Sequence, residues 1–141
     1  MEGSNCVSKL TKHSGAIVAL DWSCDSRYIR SNCTGCELLF WSIDENGCGQ
    51  QDTNGMSNTT GTAWATMHAK FGWHVDGIFP RGCDATHVNS VDGSNDKCLI
   101  ATGDDFGLVN IFRNPCRNGS IPLSLRGHAE HVVRVAFSKD D

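Results

Sequence analysis

Two stretches of the sequence decide the fold: residues 13–23 are HSGAIVALDWS, and residues 128–138 are HAEHVVRVAFS. In both stretches, apolar residues stand five, seven and nine positions after the first His, and a Ser stands ten positions after it. Alternate residues of a β-strand point to the same face of a sheet, so this pattern predicts a strand with one buried face. The same strand therefore occurs twice in a chain of 141 residues.

A third copy of this strand is predicted to begin at Lys70, with Val75, Gly77 and Phe79 in the alternating positions. The three starts are then almost evenly spaced along the chain (70 − 13 = 57 and 128 − 70 = 58). A nearly constant step along a short chain favours a repeat architecture, in which each repeat is one supersecondary unit.

Each repeat continues with a hairpin. One short strand ends at Ser31 and another at Thr102, and an aromatic residue follows ten positions later in both cases, as Trp41 and Phe112. A Gly-containing turn lies within each interval. A strand, a turn and a second strand in fixed register are typical of a β-hairpin.

A fourth strand is predicted to close each repeat, at residues 62–67 and at residues 122–125. No segment sustains the period of a helix over a dozen residues. The chain is therefore predicted to be all-β, with two four-stranded antiparallel units at residues 13–69 and 70–127. The first strand of a third unit is predicted within residues 128–141.

Two polar stretches, residues 42–60 and 83–97, are predicted to be long loops between strands. Long surface loops often carry partner contacts. They are also tolerated without any function, because the entropic cost of closing a loop grows slowly with its length. Both interpretations stay open for these two loops.

Four-stranded units of this kind, with Gly127-His128 at an opening and Trp41 at the end of a third strand, resemble the blades of WD-repeat β-propellers. Several segments are similar to the C-terminal propeller of the EMAP-like (echinoderm microtubule-associated-protein-like) family. These are LDWS (residues 20–23), WAT (64–66), FGWHVDGIFP (71–80) and TGDDFG (102–107). The resemblance extends over residues 6–138 and implies an incomplete propeller of two blades and the start of a third.

In WD-repeat blades, a His, a turn Asp, a strand Ser or Thr, and a Trp form a hydrogen-bonded tetrad. The first unit has Gly35 where the turn Asp is expected, and the second has Lys70 in place of the His. Neither unit is therefore expected to complete the tetrad. The resemblance assigns structural roles in the blades to His13, Trp22, Ser31, Trp41, Thr102, Asp105, Phe112 and His128.

The resemblance also implies a function. It predicts a non-enzymatic protein-interaction scaffold in the cytoplasm and cytoskeleton, whose partners are tubulin or microtubules and the remaining blades of the propeller. A WD-repeat scaffold of another cytosolic complex, without microtubule binding, is the alternative. The residues that contact a partner are not predicted. Two blades with uncovered apolar faces are expected to self-associate when they are expressed alone, since closed propellers need about four to eight blades.

Composition and motifs argue against other classes of protein. The net charge of −4 does not favour a nucleic-acid partner, which needs a basic surface. No apolar stretch approaches the roughly 20 residues that cross a membrane. Asp104 and Asp105 are predicted to be turn residues rather than an acid–base pair, and no catalytic motif is present.

The eight cysteines are predicted to be reduced, because no secretion signal is visible. Cys33 and Cys36 have the spacing of zinc ligands, and His128 and His131 offer a second pair, but His128 already has a structural place in the repeat. No metal and no other cofactor is therefore predicted. A small module stabilised by disulfides or zinc remains as a remote alternative.

Overall fold

The computed structural model describes residues 5–140, and its regular structure there is almost entirely β. Eight strands form two separate four-stranded antiparallel sheets, each with its strands in chain order. The all-β class and the two four-stranded units are therefore confirmed. The chain divides into two compact units, residues 1–65 and residues 66–141.

The first sheet belongs to the first unit. It contains β1 (Ile17–Trp22), β2 (Tyr28–Cys33), β3 (Leu38–Ile43) and β4 (Gly49–Gln51), followed by the short helix α1 (Gly55–Asn58). The register pairs Trp22 with Ile29, Ile29 with Trp41, and Trp41 with Gln51 across the four strands. This register carries one row of side chains across the whole sheet.

The second sheet belongs to the second unit. It contains β5 (Val88–Gly93), β6 (Leu99–Asp104), β7 (Leu108–Arg113) and β8 (Leu123–Arg126), and a 3₁₀ turn at Asp76–Ile78 precedes it. Its fully buried core draws on every strand except β8 and on the residues around the 3₁₀ turn. The core residues are Val75, Ile78, Val88, Val91, Ile100, Phe112 and Cys116.

The two sheets repeat with a longer step than the sequence pattern predicted. Strands β1 and β5 begin at positions 17 and 88, and β2 and β6 begin at positions 28 and 99, so both pairs have the same offset (88 − 17 = 71 and 99 − 28 = 71). We call this offset the structural step. The turns repeat as well: the Ser23 hydroxyl donates to Asp25 (2.6 Å), and the Ser94 hydroxyl donates to Asp96 at the same distance. The recurrence of Asp-x-Ser-x-Asp at residues 21–25 and 92–96 is the sequence signal for the structural step.

The strand predicted around Val75, Gly77 and Phe79 is wrong. Residues 76–78 form a 3₁₀ turn, and the strand that takes this place in the sheet is β5, inside the loop predicted at residues 83–97. The Gly77 N–H donates to the Cys116 carbonyl (3.0 Å), and a β-carbon on Gly77 would lie 2.0 Å from the carbonyl oxygen of Arg117. The apolar alternation at this point reflects packing into the core, not a sheet.

The fourth strand of the first unit is also misplaced by the prediction. Residues 62–67 form no strand, and only Trp64 makes an isolated bridge, to Ser23. The fourth strand is β4, which lies inside the loop predicted at residues 42–60. Because β4 is a three-residue polar edge strand, it has no apolar alternation that could reveal it.

Residues 128–140 run beside β5 without forming a regular strand. The Val135 N–H donates to the Ser90 hydroxyl (2.9 Å), and the Phe137 N–H donates to the Asp92 carboxylate (2.7 Å). The Val132 N–H donates to the Asp104 carbonyl (2.9 Å). Side chains of β5 therefore accept hydrogen bonds from this segment, where a paired strand would use backbone carbonyl groups.

The face of β1 that was predicted to be buried is exposed. The side chains of Val18, Leu20 and Trp22 are 46%, 49% and 40% exposed, whereas Asp21 between them is fully buried. Asp21 accepts a hydrogen bond from Arg30 Nε (2.9 Å), and the guanidinium of Arg30 stacks over Trp64 at 4.4 Å from the ring centre. Alternation identifies residues that share a face, but it does not say which face the protein covers.

We expect Arg30→Met to destabilise the chain by about 3 kcal/mol, because it leaves the carboxylate of Asp21 buried without its cation. The matched control is Arg27→Met, which makes the same change at an exposed arginine and should alter stability by less than about 0.5 kcal/mol. Urea denaturation measures both effects. Equal effects of the two substitutions would contradict the importance of the buried ion pair.

Candidate functional site

Three of the predicted blade residues meet in the first unit. Trp41 Nε1 donates to Ser31 Oγ (2.8 Å), and Ser31 Oγ lies 2.7 Å from His13 Nε2. An indole N–H can only donate, so the Ser31 hydroxyl accepts from Trp41, and a second hydrogen bond joins this hydroxyl to His13 Nε2.

Glu37 completes the chain of hydrogen bonds. Its Oε2 lies 3.2 Å from His13 Nδ1, which donates to it. We call these four residues (His13, Ser31, Glu37 and Trp41) the His13 network. The network joins the segment before β1, strand β2, the β2–β3 turn and strand β3.

The carboxylate of Glu37 accepts further hydrogen bonds. The thiol of Cys33 donates to Oε2 (3.0 Å), while Ser14 donates its backbone N–H to Oε2 and its hydroxyl to Oε1 (both 2.9 Å). These donors, with the Cys33 thiol as the largest contributor, lower the pKa of Glu37 from its ordinary value of 4.5 to about 2. The carboxylate is therefore held as an anion.

The expectation that the first unit lacks its acid is wrong. The WD-repeat spacing places the turn Asp at position 35, where the chain has Gly35, but the carboxylate comes from Glu37, two residues further along the chain. The longer side chain of Glu reaches His13 from that position. Glu37 is the sole acidic residue between Ser31 and Trp41, and this is the signal by which the sequence could have revealed it.

The pH dependence of stability follows from the lowered pKa of Glu37. A carboxyl group whose pKa is lower in the folded state stabilises the fold above its ordinary value, and that contribution disappears as the pH falls. The free energy of unfolding should therefore decrease between about pH 4.5 and pH 2. Glu37→Gln should flatten this dependence, and urea denaturation at a series of pH values would measure it.

The control for this prediction is Glu45→Gln, at an exposed glutamate of the same unit. This variant should keep the pH dependence of the unchanged chain. The interpretation fails if both variants respond to acid in the same way.

The equivalent positions of the second unit hold no such network. The structural step places Asp84 at the position of His13, Leu108 at that of Glu37 and Phe112 at that of Trp41. Thr102 replaces Ser31, and its fully buried hydroxyl has no hydrogen-bond partner among the described residues. Phe112 offers no N–H to it.

Lys70 is not the counterpart of His13, since the structural step puts Asp84 at that place. The ammonium group of Lys70 instead donates to the carbonyl of Val88 at the start of β5 (2.7 Å). The sequence pattern has a step of 57 residues instead of 71, and this shorter step aligns Lys70 rather than Asp84 with His13.

Asp105 and His128 lie apart from any such network. Asp105 accepts hydrogen bonds from His131 Nδ1 (2.8 Å) and from Asn89 (2.9 Å), and these bonds lower the pKa of Asp105. The bond to Asp105 raises the pKa of His131. Both His128 and His131 are exposed, and it is the side chain of His131 that forms a hydrogen bond with Asp105.

Asp104 serves the β6–β7 turn. Its Oδ1 accepts the backbone N–H groups of Phe106 and Leu108 (both 2.9 Å), and its Oδ2 accepts from Asn110 (3.0 Å). Asp104 and Asp105 therefore have separate partners. Their arrangement is that of turn and edge residues, not of two carboxylates facing one substrate.

Apolar surface remains on an edge strand of each sheet. Ile17 and Leu20 are exposed on β1, and Leu123 and Leu125 are exposed on β8. The second unit also contains a cleft of about 500 Å³, lined by Phe79, Phe106, Ile121 and other residues. Exposed apolar side chains on an edge strand are typical of surfaces that another protein element covers.

Repeated four-stranded antiparallel sheets and the chain of hydrogen bonds from His through Ser to Trp define the class of the protein as a WD-repeat β-propeller. The family comparison agrees, because residues 1–141 match the model of the echinoderm microtubule-associated protein second beta-propeller. The chain therefore belongs to the echinoderm microtubule-associated protein family.

Three relatives illustrate the match. The ciliary WD repeat-containing protein ctxp80 of Euplotoides octocarinatus is 52% identical over 94% of this chain. The 77 kDa echinoderm microtubule-associated protein of Lytechinus variegatus is 39% identical over 95%, and human echinoderm microtubule-associated protein-like 1 is 38% identical over 96%. The chain spans 18%, 20% and 16% of the lengths of these three relatives.

Two further findings bear on the predicted class. The eight cysteines all lie within residues 5–140, and none of them forms a disulfide there. No helix within residues 5–140 is long and apolar enough to cross a membrane.

The two units offer a matched test of the His13 network. Ser31→Ala should cost about 2 kcal/mol of stability, because it leaves the Trp41 N–H and the His13 ring nitrogen without their partner in a partly or fully buried place. Thr102→Val should be neutral or stabilise by about 1 kcal/mol, because it removes a buried hydroxyl that has no partner.

Urea denaturation, or hydrogen exchange of the amides of β2 and β6, would measure both substitutions. A loss of more than about 1 kcal/mol for Thr102→Val would mean that its hydroxyl does have a partner in solution.

Proposed function

We propose that this chain is part of a non-enzymatic scaffold that binds microtubules through the propeller to which it contributes. The observation that carries the proposal is the match of residues 1–141 to the second propeller of a microtubule-associated family. The names of the relatives support it, since several are microtubule-associated proteins and one is a ciliary WD-repeat protein.

The proposed blades are residues 13–69 and 70–127, with the start of the next blade in residues 128–141. Strands β1–β4 fall within the first range, and β5–β8 fall within the second. Residues 132–137 run beside β5 and form hydrogen bonds with it. A segment held in this way is consistent with a link between one blade and the next.

The proposed partners are tubulin or microtubules and the remaining blades of the propeller. The exposed apolar side chains of β1 and β8 supply surface that a further blade would cover. The net charge of −4 and the turn roles of the aspartates support a protein partner rather than a nucleic acid or a substrate. The proposed location is the cytoplasm, on the cytoskeleton.

Co-sedimentation with stabilised microtubules tests the proposal. The protein that carries this chain, together with its remaining blades, should enter the pellet in a saturable way as the microtubule concentration rises. Centrifugation of the same protein without microtubules measures pelleting by self-association. This control is needed because the exposed strand edges favour self-association.

The protein staying in the supernatant at saturating tubulin polymer would contradict microtubule binding. That result would favour the alternative, a WD-repeat scaffold of another cytosolic complex, and would leave the family assignment unaffected.

A further inference from the structure

The β2–β3 turn brings together three groups that commonly bind metal ions: Nδ1 of His13, Sγ of Cys33 and a carboxylate oxygen of Glu37. These ligand atoms all lie within 4.8 Å of one another. Oε2 of Glu37 is 3.0 Å from Sγ and 3.2 Å from Nδ1. Zinc bonds of about 2.0–2.3 Å in a tetrahedron space the ligand atoms about 3.3–3.8 Å apart, so small side-chain shifts would suffice.

The turn also fixes the position of the Cys33 sulfur. The Gly35 N–H donates to Cys33 Sγ (3.3 Å), and this hydrogen bond holds the sulfur beside the backbone of the turn. A β-carbon on Gly35 would lie 2.8 Å from the hydroxyl oxygen of Ser14, so a glycine at this position lets the turn approach Ser14 closely. This N–H···S bond is independent of the spacing of the three ligands.

The burial of the three side chains and their hydrogen bonds to neighbouring residues are those of a preformed binding site. The side chain of His13 is 4% exposed and Cys33 is 1% exposed, whereas the side chain of Glu37 is 34% exposed and leaves a path for an ion. The second ring nitrogen of His13 contacts Ser31, and Ser14 holds the other oxygen of Glu37. Such outer hydrogen bonds orient the ligands of a metal.

We propose that His13, Cys33 and Glu37 form a binding site for Zn²⁺ or a similar borderline divalent transition-metal ion. The three side chains supply nitrogen, sulfur and oxygen ligands, and the exposed side of Glu37 leaves a fourth position for water. This differs from the zinc site considered from the sequence, which combined Cys33 and Cys36 with His128 and His131.

Protons balance as follows when the ion binds. The metal-free site has a proton on Cys33 Sγ and one on His13 Nδ1, with a negative charge on Glu37. The ion displaces both protons, and the imidazole takes one back on Nε2, where it donates to Ser31 Oγ. One proton is therefore released per ion, and the charges of the ion, the thiolate and the carboxylate sum to zero. Binding consequently strengthens as the pH rises.

The experiment titrates the full chain, reduced and free of metal, with Co²⁺ and then with Zn²⁺. A charge-transfer absorption band of a thiolate–Co²⁺ bond should saturate at one ion per chain, and Zn²⁺ should abolish it. Proton release in weak buffer should be one per ion. Cys33→Ser should weaken Zn²⁺ binding by at least about 100-fold, because it removes a direct ligand.

Cys48→Ser is the matched control, because Cys48 is an exposed cysteine of the same unit and should leave the affinity unchanged. Glu37→Gln provides a second variant at a partly exposed position, in case Cys33→Ser disturbs folding, which circular dichroism would detect. It should weaken binding by at least about tenfold. The proposal is overturned if the chain shows no thiolate–Co²⁺ band, or if folded Cys33→Ser and Glu37→Gln both bind Zn²⁺ as the unchanged chain does.

Discussion

The first sheet depends on a single carboxylate. Glu37 accepts hydrogen bonds from His13, Ser14 and Cys33, and through His13 it is coupled to Ser31 and so to Trp41. These bonds join the segment before β1 to two strands and to the turn between them. Because each buried donor needs an acceptor, one anion in the turn determines where several parts of the chain can lie.

The second sheet has the same strand order without such a network. Phe112 and Leu108 replace the hydrogen-bonding groups with apolar ones, and Val75 and Ile78 cover the sheet from a 3₁₀ turn. One topology is therefore stabilised in two ways, by paired polar groups in the first unit and by apolar packing in the second. Thr102 remains in the second as a buried hydroxyl without a partner among the described residues.

Local patterns in the sequence predicted the hairpins, because the ten-residue interval from Ser31 to Trp41 contains both strand ends and the turn. Features that depend on distant packing were missed. Apolar alternation around Gly77 came from a turn packed against residues 116 and 117, and β4 is too short and polar to show a pattern. Glu37 was missed because a fixed spacing ignores the reach of a longer side chain. The exposure of Trp22 depends on whether another part of the protein covers its face of β1, and apolar alternation carries no information about this.

The two ways of holding a sheet have different consequences for sequence drift. In the second unit, an apolar residue such as Leu108 can be exchanged for another of similar volume, one position at a time. In the first unit, a change at His13 or Glu37 leaves a donor or an acceptor behind, so substitutions are tolerated only as matched sets. Related chains should therefore vary gradually at the positions of the second sheet. In the first sheet, they should keep or lose the His13 network as a whole.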